Sequence, residues 1–215
     1  MLNVNFDHLV FAGPDLEIGI AYFEKLLGVW AVHGGSHPGL GTRNAYIGLG
    51  PSSYLEIIAP DPEQPRFNGV RPFNIDRLCD VQLITWVARQ DNLSEFVKKA
   101  SSEGIDLGVV VPVSRITPNG EALNWTLTFK PTMELYRLIP FFIDWGTTPH
   151  PSKNCPAGVL IKSLVLTDPR PADLRRKLEC LGLSTVVIEG ASSSISVVID
   201  SPNGEIELTS LAIQS

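Results

Sequence analysis

The chain has 215 residues, of which 44% are hydrophobic and 19% charged, and its formal net charge is −6. This composition fits one or two globular domains with a substantial core. The negative charge and the scattered lysines and arginines argue against nucleic-acid or anionic-membrane partners. Because the sequence has no long apolar run and no basic, apolar leader, we expect a cytoplasmic protein. Cys79, Cys155 and Cys180 form no CxxC pair, so neither a structural zinc site nor a disulfide framework is indicated.

The first predicted strand, NVNFDHLVF, carries a histidine on its apolar side. Strand alternation divides its residues into a polar face (Asn3, Asn5, Asp7) and an apolar face (Val4, Phe6, His8, Val10). An imidazole in an apolar row needs a hydrogen bond, a metal or a cavity, because its burial without a partner costs free energy. His8 is therefore the first candidate site residue.

Three segments along the chain share one order of elements: an apolar strand, a turn with Asp, an amphipathic helix and a glycine. They read HLVFAGPDLEIGIAYFEKLLGVW, LITWVARQDNLSEFVKKASSEGIDL and KSLVLTDPRPADLRRKLECLGLS. The glycines are Gly28, Gly104 and Gly182, and they suit the left-handed position that ends helices. Their nearly constant spacing indicates an internal repeat.

Each predicted helix is followed by short strand-like runs. They are VWAVH, RNAYIGLG and SYLEIIAP in the first copy, GVVVPVSR, ALNWTLTF and YRLIPFFIDW in the second, and STVVIEG, SISVVID and EIELTSL in the third. Turn residues such as Pro-Asn-Gly separate them. Each copy is thus predicted to be a β-α-β-β-β unit, in which the helix covers one sheet face and a second unit or a ligand covers the other.

Several stretches resemble glyoxalase-like proteins of the vicinal-oxygen-chelate superfamily, which includes glyoxalases, bleomycin-resistance proteins and extradiol dioxygenases. They are DHLVFAGPDL, HPGLGTRN, YLEIIAPDP, TWVAR, SRITPNGE and PFFIDWGTTPHP, which together reach from about residue 6 to about residue 151, and DSPNGEIELTS resembles the last strand of a superfamily module. The resemblance implies an α+β fold in which two modules pair into a half-open barrel, or cup. One fold of this kind hosts many chemistries.

The resemblance also implies a metal site, because superfamily ligands come from the first and last strands of each module. It places His8 at the first-strand position of copy one and Glu56 at the last-strand position. An imidazole and a carboxylate suit a divalent iron, manganese, nickel or zinc ion. Glu56 shares its strand face with Tyr54 and Ile58, so it is also a candidate catalytic base without a metal.

The other copies depart from the ligand pattern. Copy two offers Ile84 or Thr85 at the first-strand position and Phe141 at the last, whereas copy three offers Glu207 at its last strand. Two alternatives follow. If copies one and three pair, Glu207 completes the ligand set; if copies one and two pair, a third ligand must come from a loop, with His37 and His150 as candidates.

Further polar and aromatic residues are candidates for binding the substrate. The segment GGSHPGLGTRN carries glycines that allow close approach of a ligand, together with hydrogen-bond donors. The candidate substrate-binding residues are His37, Arg43, Asn44, Arg115, Trp145 and His150. Arg43 and Arg115 are expected to bind anionic groups, and Trp145 to line a pocket.

We therefore expect a glyoxalase-like domain of two modules at residues 1–150 and a third module at residues 158–215. The cup is expected to bind a small, oxygen-rich organic molecule and to act as a metal-dependent lyase, isomerase or dioxygenase. The alternatives are a non-catalytic protein that sequesters a small molecule and a dimeric interaction module. The third module would expose an apolar sheet face if it were unpaired, which favours its packing beside the cup or a homodimer.

Overall fold

The computed structural model describes residues 5–64, 67–130 and 137–211, and the side chain of residue 137 is not included. The predicted faces of Asn3 and Val4 lie outside these ranges. In the described ranges, no helix combines the length and apolarity that crossing a membrane requires. The three cysteines form no disulfide.

The first unit follows the predicted order of elements. Its elements are β1 (Phe6–Ala12), α1 (Leu16–Leu27), β2 (Val32–His37), β3 (Thr42–Gly48) and β4 (Tyr54–Pro60). The Asp15 side chain accepts a hydrogen bond from the Ile18 amide at the start of α1, and Gly28 ends the helix with a φ of 73°. The local signals in the sequence therefore set both ends of this helix.

The second unit repeats this order. Its elements are β5 (Gln82–Arg89), α2 (Leu93–Ser102), β6 (Val109–Ile116), β7 (Ala122–Phe129) and β8 (Arg137–Asp144). A short 3₁₀ helix, Pro72–Arg77, lies in the connection between the two units.

Units one and two form one closed barrel with the strand order β1-β4-β3-β2-β6-β7-β8-β5. The first strands of the two units pair antiparallel, with Leu9 opposite Trp86 and Val10 opposite Thr85. On the opposite side of the barrel the two units are joined by fewer strand pairs, because β2 and β6 share only the pair Ser36 and Ile116. The predicted cup of two modules is confirmed, and it is built from copies one and two.

The third unit has the predicted order of elements but a different order of strands. It consists of β9 (Leu160–Asp168), α3 (Pro171–Cys180), β10 (Val186–Glu189), β11 (Ser194–Ser201) and β12 (Gly204–Thr209). Its sheet runs β10-β9-β11-β12, so the first strand lies inside the sheet, whereas β1 and β5 lie at the edges of their units. Glu207 lies in β12 of this separate sheet, which removes the alternative that pairs copies one and three.

Two hydrophobic clusters fill the molecule. One lies inside the barrel and includes Val10, Tyr54 and Phe141. The other covers the outside of the barrel, contacts the helices and continues into the third unit, where Leu166 and Val197 belong to it. Because the third unit shares this core, the division of the chain into domains at residues 150 and 158 stays a prediction.

The turn between β11 and β12 attaches the third unit to α1. The Asn203 amide nitrogen donates to the backbone oxygens of Lys25 (2.9 Å) and Leu26 (3.2 Å), which are carbonyls at the open end of the helix. A side chain from the last hairpin thus takes the place of water at a helix end in unit one.

We predict that Asn203→Ala lowers the free energy of unfolding by about 1 kcal/mol, because two helix-end carbonyls lose their donor. Chemical denaturation measures the change. Asn154→Ala, at an exposed position between β8 and β9, is the matched control and should have little effect. Equal stability of the two variants would contradict the role given to Asn203.

Candidate functional site

The barrel encloses a cavity of about 240 Å³. Most of its wall is apolar or aromatic, including Phe73, Phe141 and Trp125. Its polar residues and its predicted tryptophan come from both units: they are His8, His37, Asn44, Glu56, Arg115, Thr128 and Trp145. The structure therefore brings six of the eight predicted site residues to one cavity, which is partly open to solvent.

A β-bulge in β1 decides how the first strand faces this cavity. The pairing with β5 shifts between Phe6 and His8, so that Asp7 is an extra residue on this strand. As a result, Phe6 belongs to the outer cluster together with Leu9, and the expectation that Phe6 and His8 share a face is wrong. Asp7, predicted on the outer polar face, is fully buried and bonded to His8.

His8 is held on three sides. Its Nδ1 lies 2.7 Å from Asp7 Oδ1, and its ring stacks on Tyr54 with centroids 4.4 Å apart and planes at 16°. The Phe141 ring contacts the His8 ring edge-on, with the two ring centroids 6.1 Å apart. The remaining ring nitrogen, Nε2, lies 3.8 Å from Glu56 Oε2. His8 thus presents one nitrogen toward the carboxylate that the sequence pairs with it.

Glu56 faces the cavity from β4, between the inward residues Tyr54 and Ile58. Its Oε1 accepts a hydrogen bond of 2.6 Å from Asn44 Nδ2. The side-chain oxygen of Asn44, Oδ1, is buried and has no hydrogen-bond partner among the described residues. The polar end of the cavity therefore holds an unused acceptor next to the Glu56 carboxylate.

Arg115 enters the same region from β6 of the second unit. It is only 3% exposed, its guanidinium lies over the Tyr46 ring at 5.2 Å, and its Nε has no hydrogen-bond partner in the described ranges. Gly34 leaves space for the side chains of Arg115 and Asn44. A Cβ atom added at this position would lie 2.1 Å from Asn44 Oδ1 and 2.9 Å from Arg115 Nη1. Among the described residues, no carboxylate lies within ion-pair distance of Arg115.

Asp7 contacts four side chains behind the cavity. Besides His8, its carboxylate accepts hydrogen bonds from Arg89 Nε (2.9 Å) and Trp145 Nε1 (3.1 Å), and it lies 3.3 Å from His150 Nε2. Burial alone would raise the pKa of Asp7, but the bonds to His150 and His8 outweigh it and hold the pKa well below its usual range. Asp7 and Arg89 are not among the site residues predicted from the sequence. The available signal was the position of a carboxylate directly before a histidine in an apolar row.

His37 is also buried, and it lines the same cavity. Its Nδ1 lies 3.0 Å from Thr42 Oγ1, and its ring contacts Trp125 edge-on. Burial, with a smaller contribution from Arg115, lowers the pKa of His37 from 6.5 to about 4, although Glu56 and Asp61 act in the other direction. His37 is therefore neutral at physiological pH.

Comparison with known proteins agrees with this architecture. A model of the family described as "Glyoxalase-like domain" matches residues 6–182. The chain belongs to the glyoxalase-like domain family. This membership confirms the resemblance to the vicinal-oxygen-chelate superfamily, and the matched region extends beyond the barrel to the end of α3. No curated protein matches the chain.

Solved structures similar to this glyoxalase-like protein have low sequence identity to it, and one of them has a TM-score above 0.5. A hypothetical protein from Staphylococcus aureus is 15% identical, with a TM-score of 0.62, and the match covers 95% of this chain and 84% of that one. Methylmalonyl-CoA epimerase from Mycobacterium tuberculosis is 18% identical (TM-score 0.43; 67% and 90% covered). A mutant 4-hydroxymandelate synthase from Streptomyces coelicolor is 13% identical (TM-score 0.49; 100% and 66% covered).

The residues of this glyoxalase-like cup do not fit a resident metal ion well. His8 Nε2 and Glu56 supply two donors, whereas catalytic zinc sites use three protein ligands. No group of three His, Cys, Asp or Glu side chains suited to a metal occurs among the described residues. The second unit contributes Phe141 where a carboxylate would be needed. His8 Nε2 and Glu56 Oε2 therefore face each other as an imidazole and a carboxylate 3.8 Å apart.

Two predicted substrate-binding residues lie outside the cavity. Arg43 lies next to Asn44 in β3, where neighbouring side chains point to opposite faces, and its guanidinium is 3.7 Å from Glu17 of α1. His150 lies behind the cavity, where it contacts Asp7, Tyr54 and Trp145. Arg43 is thus corrected to an outer position, and His150 to a supporting one.

We predict that the buried His37 makes the protein less stable as the pH falls. Between its unfolded pKa of 6.5 and its folded value of about 4, only the unfolded chain binds the extra proton, so acid favours unfolding. The free energy of unfolding should drop by about 2 kcal/mol on this account between about pH 7.5 and about pH 5.

Denaturant titrations at both pH values test this effect in His37→Gln, which should lack that part of the drop. The exposed His33→Gln is the matched control and should keep the wild-type dependence on pH. If His37→Gln also keeps it, His37 is not the group responsible.

Proposed function

We propose that the cup binds a small, oxygen-rich organic anion and that Glu56 accepts a proton from it, in a reaction of the isomerase or lyase type. The observation that carries this proposal is the buried Arg115, whose charge has no carboxylate partner among the described residues. An unpaired charge in a low-dielectric interior costs several kcal/mol. An anionic ligand would remove that cost and would complete the site.

The cavity limits the size of this ligand. A cavity of about 150 Å³ holds a benzene molecule, so the roughly 240 Å³ here suit a molecule of about one ring with polar substituents. The polar end would take the carboxylate or oxyanion at Arg115, and the apolar part would contact Phe73 and Phe141. This division matches small-molecule sites, in which a few polar groups orient a ligand within an apolar wall.

The contacts of Glu56 support a role in proton transfer. Asn44 fixes one carboxylate oxygen and leaves Oε2 on the side of His8. In the proposed step, a C–H bond next to a carbonyl group breaks, the proton goes to Glu56, and the electron pair stays on the substrate as an enolate. Arg115 then stabilises the oxygen that gains charge.

His8 and Glu56 supply only two metal donors, and this proton transfer needs no metal. We therefore favour isomerase or lyase chemistry over dioxygenase chemistry. If a divalent metal binds, His8 Nε2 and Glu56 are the residues that would hold it, and it would supply a Lewis acid at this end of the cavity. The second candidate function is sequestration of the same kind of molecule without chemistry. The largely apolar wall of the cavity and the incomplete set of metal ligands favour that alternative.

We predict that Arg115→Met weakens binding of small organic acids at least tenfold, because the cation that offsets their charge is lost. The probe is a panel of one-ring and short-chain hydroxy- and oxo-carboxylates, screened by thermal shift and measured by calorimetry. The outer Arg43→Met is the matched control and should bind like wild type. The anion proposal is abandoned if no acid binds, or if neutral amides bind equally well.

We predict that the wild-type protein exchanges carbon-bound hydrogens of a bound oxo-carboxylate with deuterium from D₂O, as followed by proton NMR. Glu56→Gln should slow this exchange by about a hundredfold or more, because the proton acceptor is gone, while it retains binding within about threefold. Binding without exchange by the wild-type protein would support sequestration instead.

We predict that manganese or zinc added to metal-free protein binds weakly and below one ion per chain, because only two donors face each other. Calorimetry with Mn²⁺ and Zn²⁺ and elemental analysis of the purified protein measure this. One tight ion per chain, lost in both His8→Ala and Glu56→Ala, would instead establish the predicted metal site and a metal-dependent reaction.

A further inference from the structure

We propose that Asp7 is a positioning residue that fixes His8 as a second proton acceptor in the cup, with the proton of its imidazole on Nδ1 and its Nε2 free. For its chemical meaning this inference rests on the proposed function of Glu56. Asp7 and His8 are consecutive in the chain, and their side chains are in contact at the bulge in β1.

The contacts of Asp7 identify it as the acceptor in this pair. Its Oδ2 is surrounded by the Arg89, Trp145 and His150 nitrogens, so the carboxylate is charged and its Oδ1 remains for His8. An ionised carboxylate 2.7 Å from His8 Nδ1 requires a hydrogen on that nitrogen. A neutral imidazole carries one such hydrogen, so Nε2 has none.

The consequence lies on the cavity side. His8 Nε2 and Glu56 Oε2 are 3.8 Å apart, beyond hydrogen-bond distance, and both are acceptors in this state. Two acceptors that face each other attract a hydroxyl group or an acidic hydrogen of a ligand, or they share a proton taken from it. The arrangement allows the proton accepted by Glu56 to pass to His8, where the Asp7 carboxylate stabilises the resulting imidazolium.

The packing around the His8 ring opposes its rotation, which would exchange Nδ1 and Nε2. Tyr54 stacks on one face of the imidazole and Phe141 contacts it edge-on, so an exchange of the two nitrogens would require both aromatic rings to move. Asp7 is itself held by β5 through Arg89 and by the segment after β8 through Trp145 and His150. The orientation of His8 is thus determined by four separate parts of the chain.

Nitrogen NMR of protein labelled with ¹⁵N-histidine tests the inference directly. The chain has four histidines, and His8→Gln identifies the His8 signals by their loss. At mildly alkaline pH we expect Nδ1 of His8 to be protonated and Nε2 to be unprotonated. A protonated Nε2 in the wild-type protein overturns the proposal without the need for any variant at Asp7.

Asp7→Asn tests the role of the carboxylate. Because the charged acceptor is lost, the population with hydrogen on Nε2 should rise, and deuterium exchange into a bound oxo-carboxylate should fall by about tenfold or more with binding retained. Asp80→Asn, at an exposed position, is the matched control and should change neither quantity. An unchanged His8 signal in folded Asp7→Asn would overturn the positioning role.

Two further outcomes separate this inference from the proposed function. His150→Gln removes a neighbour of Asp7 but keeps the contact of Asp7 with His8, so the Nδ1–H form of His8 should persist; its loss would contradict the assignment of Asp7 as the determining acceptor. If the wild-type protein shows the expected form of His8 but never exchanges hydrogen in any ligand, the proposed function fails and the assignment of His8 stands.

Discussion

The buried carboxylate of Asp7 is the interaction on which the site depends. Removal of a carboxylate from water costs several kcal/mol unless hydrogen bonds replace the lost hydration. Here four nitrogens, from His8, Arg89, Trp145 and His150, surround its two oxygens. The same bonds that make the buried charge tolerable tie the first strand to β5 and to the segment after the barrel. The same hydrogen bonds therefore stabilise this region and determine the geometry of the site.

The two units of the barrel contribute different chemistry to the cavity. Unit one supplies the acceptors and the neutral histidine, namely His8, Glu56, Asn44 and His37. Unit two supplies the cation, Arg115, and much of the aromatic wall. Two units with the same order of elements thus give an asymmetric cup, whose wall contains different chemical groups from each unit. Closing of the barrel through β1 and β5 brings these complementary parts together.

Much of the architecture follows from the sequence, because apolar periodicity, helix-end glycines and turn residues are local signals. The alternation in β4 likewise places Glu56 inside with Tyr54 and Ile58. The bulge in β1 is not such a signal, since one extra residue reverses the facing of everything before it. For that reason strand alternation does not indicate the burial of Asp7 and places Phe6 on the wrong face, whereas His8 and Glu56 face one pocket as expected.

The remaining differences have equally specific causes. Arg43 and Asn44 are adjacent in one strand, so only one of them can face the cavity, and the sequence motif that contains both does not say which. The third unit has the same order of elements as the others, but that order does not determine which strands become neighbours. With β9 inside its sheet, this unit cannot form a cup through its first strand as units one and two do. It contributes to the barrel from outside instead, through the shared core and the bonds from Asn203 to α1, while the linker before it brings His150 to Asp7.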